Sequence, residues 1–182
     1  QGAMLAVGLP VEEAERLLAG YEDRVSIAAI NSPSDVTLSG DAEALQEIAT
    51  VLEQKLIFCR FLQVEVPYHS PKMDPLQEEL IHSLRDIDPQ PATIPMFSTA
   101  TGQAVEGQEL DADYWWKNMR NPVRFAAVIE ALLHTDHDLF LEISAHPVLA
   151  SSITKCLAQA KREGSVLPSL RREEPERATL LG

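Results

Sequence analysis

Basic residues are scarce: 15 lysines and arginines stand against 28 aspartates and glutamates in 182 residues, a formal net charge of −13. A nucleic-acid surface would need a local basic stripe against that field, and the sequence offers none. Long apolar runs are missing too. No window approaches the ~18 uninterrupted apolar residues of a membrane span, and the N-terminus lacks a charged stretch followed by an apolar core and a cleavage site. The expectation is a cytoplasmic protein with no membrane partner. Cysteine is limited to Cys59, in a strand pattern, and Cys156, on a helix face; the two are far apart and lack metal-ligand spacing, which excludes a thiolate metal site and leaves two buried thiols acting as small hydrophobes. Internal repeats are absent. What is present is a hydrophobic fraction of 45%, ample for a packed core in one ordinary domain or two small ones.

The first third alternates its elements cleanly. Ala3 to Val7 reads as a strand and Gly8-Leu9-Pro10 as a break; Val11 to Ala19 is a helix whose early glutamates, Glu12, Glu13 and Glu15, suit the helix dipole. Val25 to Ile30 and Val36 to Ser39 form a hairpin around a turn at Asn31–Asp35. Asp41 caps a helix from Ala42 to about Gln54, with Ala42, Leu45, Ile48, Ala49 and Leu52 on one face, and Leu56 to Val64 is a fourth strand. The order β-α-β-β-α-β is that of the split βαβ, ferredoxin-like arrangement, assigned to residues 1–66.

Beyond it, Lys72 to Leu84 predicts an amphipathic helix with Met73, Leu76, Leu80, Ile81 and Leu84 in a stripe. Asp86 to Pro95 is a connector, Met96 to Thr99 a short strand and Thr101-Gly102 a turn. Asp111 to Asn118 is a short helix bearing Trp115 and Trp116, read as core and interface aromatics. Phe125 to Leu133 is a helix, Leu139 to Ile143 a strand and Pro147 to Ala160 a helix, with His146 as its side-chain cap; a further strand fits near Val166 to Leu170. Such alternation belongs to an open α/β sheet, but two or three strands do not close one, and the expectation is that further sheet lies upstream. Residues 67–163 are assigned to this second part. Residues 164–182, with the charged run Arg171 to Arg177, read as a surface linker.

The most informative stretch is Val64-Glu65-Val66-Pro67-Tyr68-His69-Ser70-Pro71-Lys72-Met73-Asp74. It passes from an extended run into a helix with Pro71 in its first turn, and it leaves His69 at the mouth of a cleft, where an imidazole can move protons. A lone histidine that merely satisfies the end of a strand is the competing explanation.

Val66-Pro67-Tyr68-His69 followed by Ser-Pro-x-Met resembles the histidine segment of polyketide synthase acyltransferase domains and malonyl-CoA:acyl carrier protein transacylases. The family's other blocks appear in order: Gly2 to Val7, Ala29 to Pro33 with Val36 to Gly40, Ile94 to Thr99, Tyr114 to Asn118, Asn121 to Phe125 and Leu141 to Leu149. The resemblance implies an α/β fold in which a ferredoxin-like subdomain accompanies the C-terminal part of an α/β-hydrolase-like acyltransferase core. It implies two-step transfer of an acyl group from coenzyme A, through a serine in Gly-His-Ser-x-Gly, to the phosphopantetheine thiol of an acyl carrier protein. No cofactor is implied beyond those carried by substrate and partner.

The sequence contains no Gly-x-Ser-x-Gly, and the family's carboxylate-gripping arginine also has no counterpart here. The chain is therefore expected to be inactive alone, as a piece of a longer protein or half of a split domain, with the N-terminal part of the acyltransferase and an adjacent ketosynthase and linker as its covalent partners. On the resemblance, His69 is the general base, and the backbone carbonyl of Asn118, three residues before Asn-Pro-Val, orients its ring; a plain asparagine at a helix end explains Asn118 as well. Val66, Pro67 and Tyr68 sit where the family's extender choice is read. The ring of Tyr68 should crowd the substrate's α-carbon and favour malonyl-CoA weakly, since a methylene is worth about 1–3 kcal/mol; packing alone explains it equally. Asn31 is a substrate contact or a turn residue. His82, His134 and His137 read as surface residues. Lys117, Arg120, Lys155, Lys161 and Arg162 are candidate contacts for an acidic carrier protein, or a solvated face. Two other functions compete: a non-catalytic scaffold module, and an editing hydrolase that uses His69 with water.

Overall fold

A computed structural model of the chain describes residues 2–64 and 66–174. Its first elements are β1 (Gly2–Val7), α1 (Val11–Leu17), β2 (Val25–Ser32), β3 (Asp35–Asp41), α2 (Ala42–Gln54) and β4 (Cys59–Phe61). The strands form one antiparallel sheet in the order β2-β3-β1-β4, the ferredoxin-like order expected from the sequence. Alternation decides which face is buried: Leu5, Leu38 and Ile27 lie side by side across β1, β3 and β2 and point into the core with Leu45, Ile48 and Leu52 of α2. The adjacent row, Met4, Ser39 and Ser26, points to the opposite face. Asp41 caps α2 by accepting the Ala44 N–H at 3.2 Å.

Two boundaries in this region shift for local reasons. The hairpin turn narrows to Pro33-Ser34, because β2 runs on through Ser32, whose hydroxyl bonds the Asp35 carboxylate and accepts the Ser34 N–H. The fourth strand shrinks from the expected Leu56–Val64 to three residues. Leu56 turns left-handed (φ 56°) and the Ile57 N–H still bonds back to Leu52, so the exit from α2 consumes the first part of that run. Cys156 is buried as expected, whereas Cys59 is only half-buried.

The helix expected over 72–84 begins as a 3₁₀ turn, Pro71–Leu76, and becomes α-helical only as α3 (Gln77–Leu84). Pro75 is the cause, since it has no N–H and its ring opposes a continuous α-helix. Of the predicted stripe only Met73 is buried, and Leu76 remains 42% exposed. The short strand β5 (Met96–Ser98) has a hairpin partner the sequence did not announce, β6 (Gln103–Val105), joined through Gly102 at φ 76°. Next comes α4 (Ala112–Arg120), whose N-cap Asp111 accepts the Tyr114 N–H at 2.8 Å. The Ser98 and Tyr114 hydroxyls, 2.7 Å apart, tie β5 to α4. Trp116 is buried and Trp115 is 39% exposed.

The chain divides into two compact units, residues 1–128 and 129–182, with α5 (Phe125–His134) running across the division. In the second unit β7 (Leu139–Glu142) and β8 (Ser165–Pro168) pair in parallel, linked by α6 (Ala150–Ala160). That helix starts three residues later than expected, and His146 is not its cap. The carboxylate of Glu142 accepts the N–H groups of Val148, Leu149 and Ala150 at 2.7–3.2 Å and so fills that role. His82, His134 and His137 are exposed. The end of the proposed linker, residues 175–182, and Glu65 of the histidine segment lie outside the described residues. Among the described residues no helix is long and apolar enough to cross a membrane.

Candidate active site

His69 has a left-handed backbone, φ 61°. A non-glycine residue there costs of the order of 1–3 kcal/mol, so surrounding contacts must impose it. Three do. The His69 N–H donates to the Met119 carbonyl at 3.0 Å, the His69 carbonyl accepts the Ser26 hydroxyl at 2.8 Å, and Nδ1 lies 2.7 Å from the Asn121 carbonyl. A carbonyl only accepts, so Nδ1 carries the proton and Nε2 keeps its lone pair. The ring is half-buried, and Nε2 makes no hydrogen bond among the described residues. Burial pushes its pKa below the ordinary histidine value, against a smaller opposing pull from the Asn121 carbonyl. The ring is therefore neutral near pH 7 and able to accept a proton.

The residues around His69 fix the loop. Pro67 is buried on β1 so closely that a Cβ added to Gly2 would clash with its ring. The buried Ser70 caps the 3₁₀ turn, its hydroxyl donating to the Pro67 carbonyl at 2.7 Å and accepting the Lys72 N–H at 3.3 Å. Lys72 reaches Asp41 at 3.3 Å, and Asp74 pairs with Arg120. Asp41 also meets Arg24 at 2.7 Å; that guanidinium, the Ala44 N–H and Lys72 hold its carboxyl well below the usual carboxylate range.

The expected orienting carbonyl, that of Asn118, is replaced by that of Asn121. Asn118 stays inside α4, whereas Asn121 is its C-cap at φ −85° and ψ 161°. Asn121 precedes Pro122, and the proline ring excludes the α conformation from the residue before it. The carbonyl of Asn121 thus leaves the helix direction and meets the imidazole. The Asn-Pro dipeptide signals where the helix ends, but not that the freed carbonyl meets His69. Of the other candidates, Tyr68 is 46% exposed with its ring centroid 6.4 Å from that of His69, Val66 is half-buried, and Pro67 is occupied with Gly2. Asn31 lies in β2, not in the turn, and its amide donates to the Thr37 hydroxyl at 3.1 Å. Ser26 carried no signal in the sequence that set it apart from other strand serines. Among the described residues no three His, Cys, Asp or Glu side chains gather as a metal site.

A half-buried histidine with a fixed tautomer and a bare Nε2 is the form a general base takes. Comparison with known proteins says in which setting. The family model described as "Acyl transferase domain" matches residues 1–181. The chain belongs to the acyl transferase domain family. It is 42% identical over 176 residues to the spectinabilin polyketide synthase system protein NorC of Streptomyces orinoci, a match covering 96% of this chain and 8% of that protein. Among solved structures it resembles the acyltransferase domain from module 8 of the salinomycin polyketide synthase, with a TM-score of 0.96, 32% identity, and coverage of 100% of this chain and 43% of the other. It likewise resembles a loading acyltransferase from the avermectin modular polyketide synthase, with a TM-score of 0.90, 33% identity, and coverage of 99% and 57%. The acyl transferase chain thus spans under a tenth of that curated relative and roughly half of these solved domains.

Proposed function

We propose that this chain supplies the proton-transfer half of a polyketide synthase acyltransferase, which moves a malonyl-type acyl group from coenzyme A to the phosphopantetheine thiol of an acyl carrier protein. The observation that carries the reading is the 2.7 Å contact between His69 Nδ1 and the Asn121 carbonyl, which leaves Nε2 basic. As a serine hydroxyl attacks the thioester carbonyl, its proton passes to Nε2; the tetrahedral adduct then expels the coenzyme A thiolate, which takes that proton from the imidazolium. The second half-reaction runs the same way with the carrier thiol as the attacking group.

The sequence has no Gly-x-Ser-x-Gly, so the 182 residues alone are proposed to transfer nothing. Tyr68, exposed beside the imidazole, is proposed to narrow the space at the acyl α-carbon and so to favour malonyl over branched groups, with Val66 beside it. Asn31 is held by Thr37 and is proposed to contact substrate only indirectly. The acidic carrier is proposed to meet Lys117 and Lys161, while Arg120 pairs with Asp74, Arg162 with Asp136, and Lys155 also has a partner within the chain.

The test is to incubate the complete acyltransferase domain with malonyl-CoA, with and without carrier protein. Acyl-carrier is the expected product, and free malonate alone would assign a hydrolase instead. His69→Ala should cost about 10²–10⁴-fold in transfer rate; undiminished transfer would remove His69 from the mechanism.

A further inference from the structure

We infer that Ser26 is a positioning residue for His69: its hydroxyl grips the His69 carbonyl and locks the left-handed backbone that aims Nδ1 at Asn121. This inference rests on the reading of His69 as the base. Ser26 belongs to the row Ser26, Ser39, Met4 on the sheet face opposite the helices, and its Oγ donates to the His69 carbonyl at 2.8 Å. A hydrogen bond offsets the cost of taking a strand hydroxyl out of water, and here the loop supplies it to Ser26.

The other tether of the imidazole returns to the same strand. Two residues after Asn121, the Val123 N–H donates to the Ala28 carbonyl and the Val123 carbonyl accepts the Ile30 N–H, each at 2.8 Å. β2 therefore sets both the His69 carbonyl, through Ser26, and the acceptor of Nδ1, through Val123. A shift of either tether rotates the ring relative to the other. Ser39 shows that the face does not simply prefer hydroxyls. It sits directly opposite Ser26, is fully buried, and its Oγ has no partner.

Three variants separate positioning from packing. In the 182-residue chain, ¹⁵N spectra of the His69 ring above neutral pH should show Nδ1 protonated and Nε2 bare in the natural sequence and in Ser39→Ala. Ser26→Ala should give a ring averaging between tautomers, and Ser26→Thr should restore the asymmetric pair. In the complete acyltransferase domain Ser26→Ala should lower kcat about tenfold or more with KM for malonyl-CoA unchanged, as expected when a reacting group is misplaced, and Ser26→Thr should recover most of that loss. The inference is overturned if Ser26→Ala keeps the asymmetric ring signature, if threonine fails to restore it, or if Ser39→Ala disturbs it equally. Should His69→Ala leave transfer intact, the base assignment falls, while the ring spectra of Ser26→Ala still decide whether Ser26 holds the loop.

Discussion

Leu5 and Leu38 of the four-stranded sheet and Leu45 of α2 packed on it are fully buried, whereas between Pro67 and Leu84 only Pro67, Ser70 and Met73 are buried. The sheet is held by apolar area removed from water, a force without direction that tolerates small shifts as long as volume is kept. The histidine loop is held by aimed contacts: an N–H on Met119, a hydroxyl on its carbonyl, a carbonyl on its ring and ion pairs at Lys72 and Asp74. Stability and chemical placement are thus written in different interactions, and damage to one should be readable apart from damage to the other.

The widest separation should come from His69→Ala, which is expected to cut transfer by the complete domain about 10²–10⁴-fold while leaving the urea unfolding curve of the chain nearly where it was. A large loss of stability there would erase the contrast. Leu38→Ala is the converse. Truncating this fully buried residue should destabilise the sheet by about 2–5 kcal/mol, while the His69 tautomer in the folded fraction stays as it was. Asp111→Ala removes the cap of the helix that leads to Asn121 and should cost about 1 kcal/mol, with a modest loosening of the ring visible in the same spectra.

Acidification gives a smaller effect. Because burial lowers the folded pKa of His69, its contribution to stability is complete above the ordinary value of about 6.5 and is lost as pH falls through the lowered folded value. Transfer should decline on the acid side with a midpoint below about 6.5. A midpoint above that value would mean that a charge partner, not burial, governs the ring. The smallest effect is expected for Ser39→Ala, near neutral or slightly stabilising in thermal unfolding, because the hydroxyl it removes is buried without a partner.

The sheet was legible because its signals are local. The runs Ala3–Val7, Val25–Ile30 and Val36–Ser39 mark three of its strands, and Asp41 announces α2 by its position just before an apolar helical stripe. Elements failed to follow the pattern where a single residue vetoed it, as Pro75 does for the helix and Leu56 for the fourth strand. His69 could be found because it stands in a distinctive run. Its support could not. Ser26 lies 43 residues away and Asn121 lies 52 away, and only the folded sheet brings them to the same imidazole. Glu142 is a similar case: a carboxylate at the end of a strand takes over a helix start that the sequence places at Pro147 with His146 as cap, and nothing in the local pattern distinguishes it from any other strand-end glutamate.

Pro122 meets no reacting atom, yet it governs the chemistry of one. By forbidding one further helical residue it leaves an oxygen unclaimed by the backbone spiral, and that oxygen chooses which nitrogen of a distant ring is free to take a proton. The conformational stiffness of one pyrrolidine is in this way converted into basicity elsewhere.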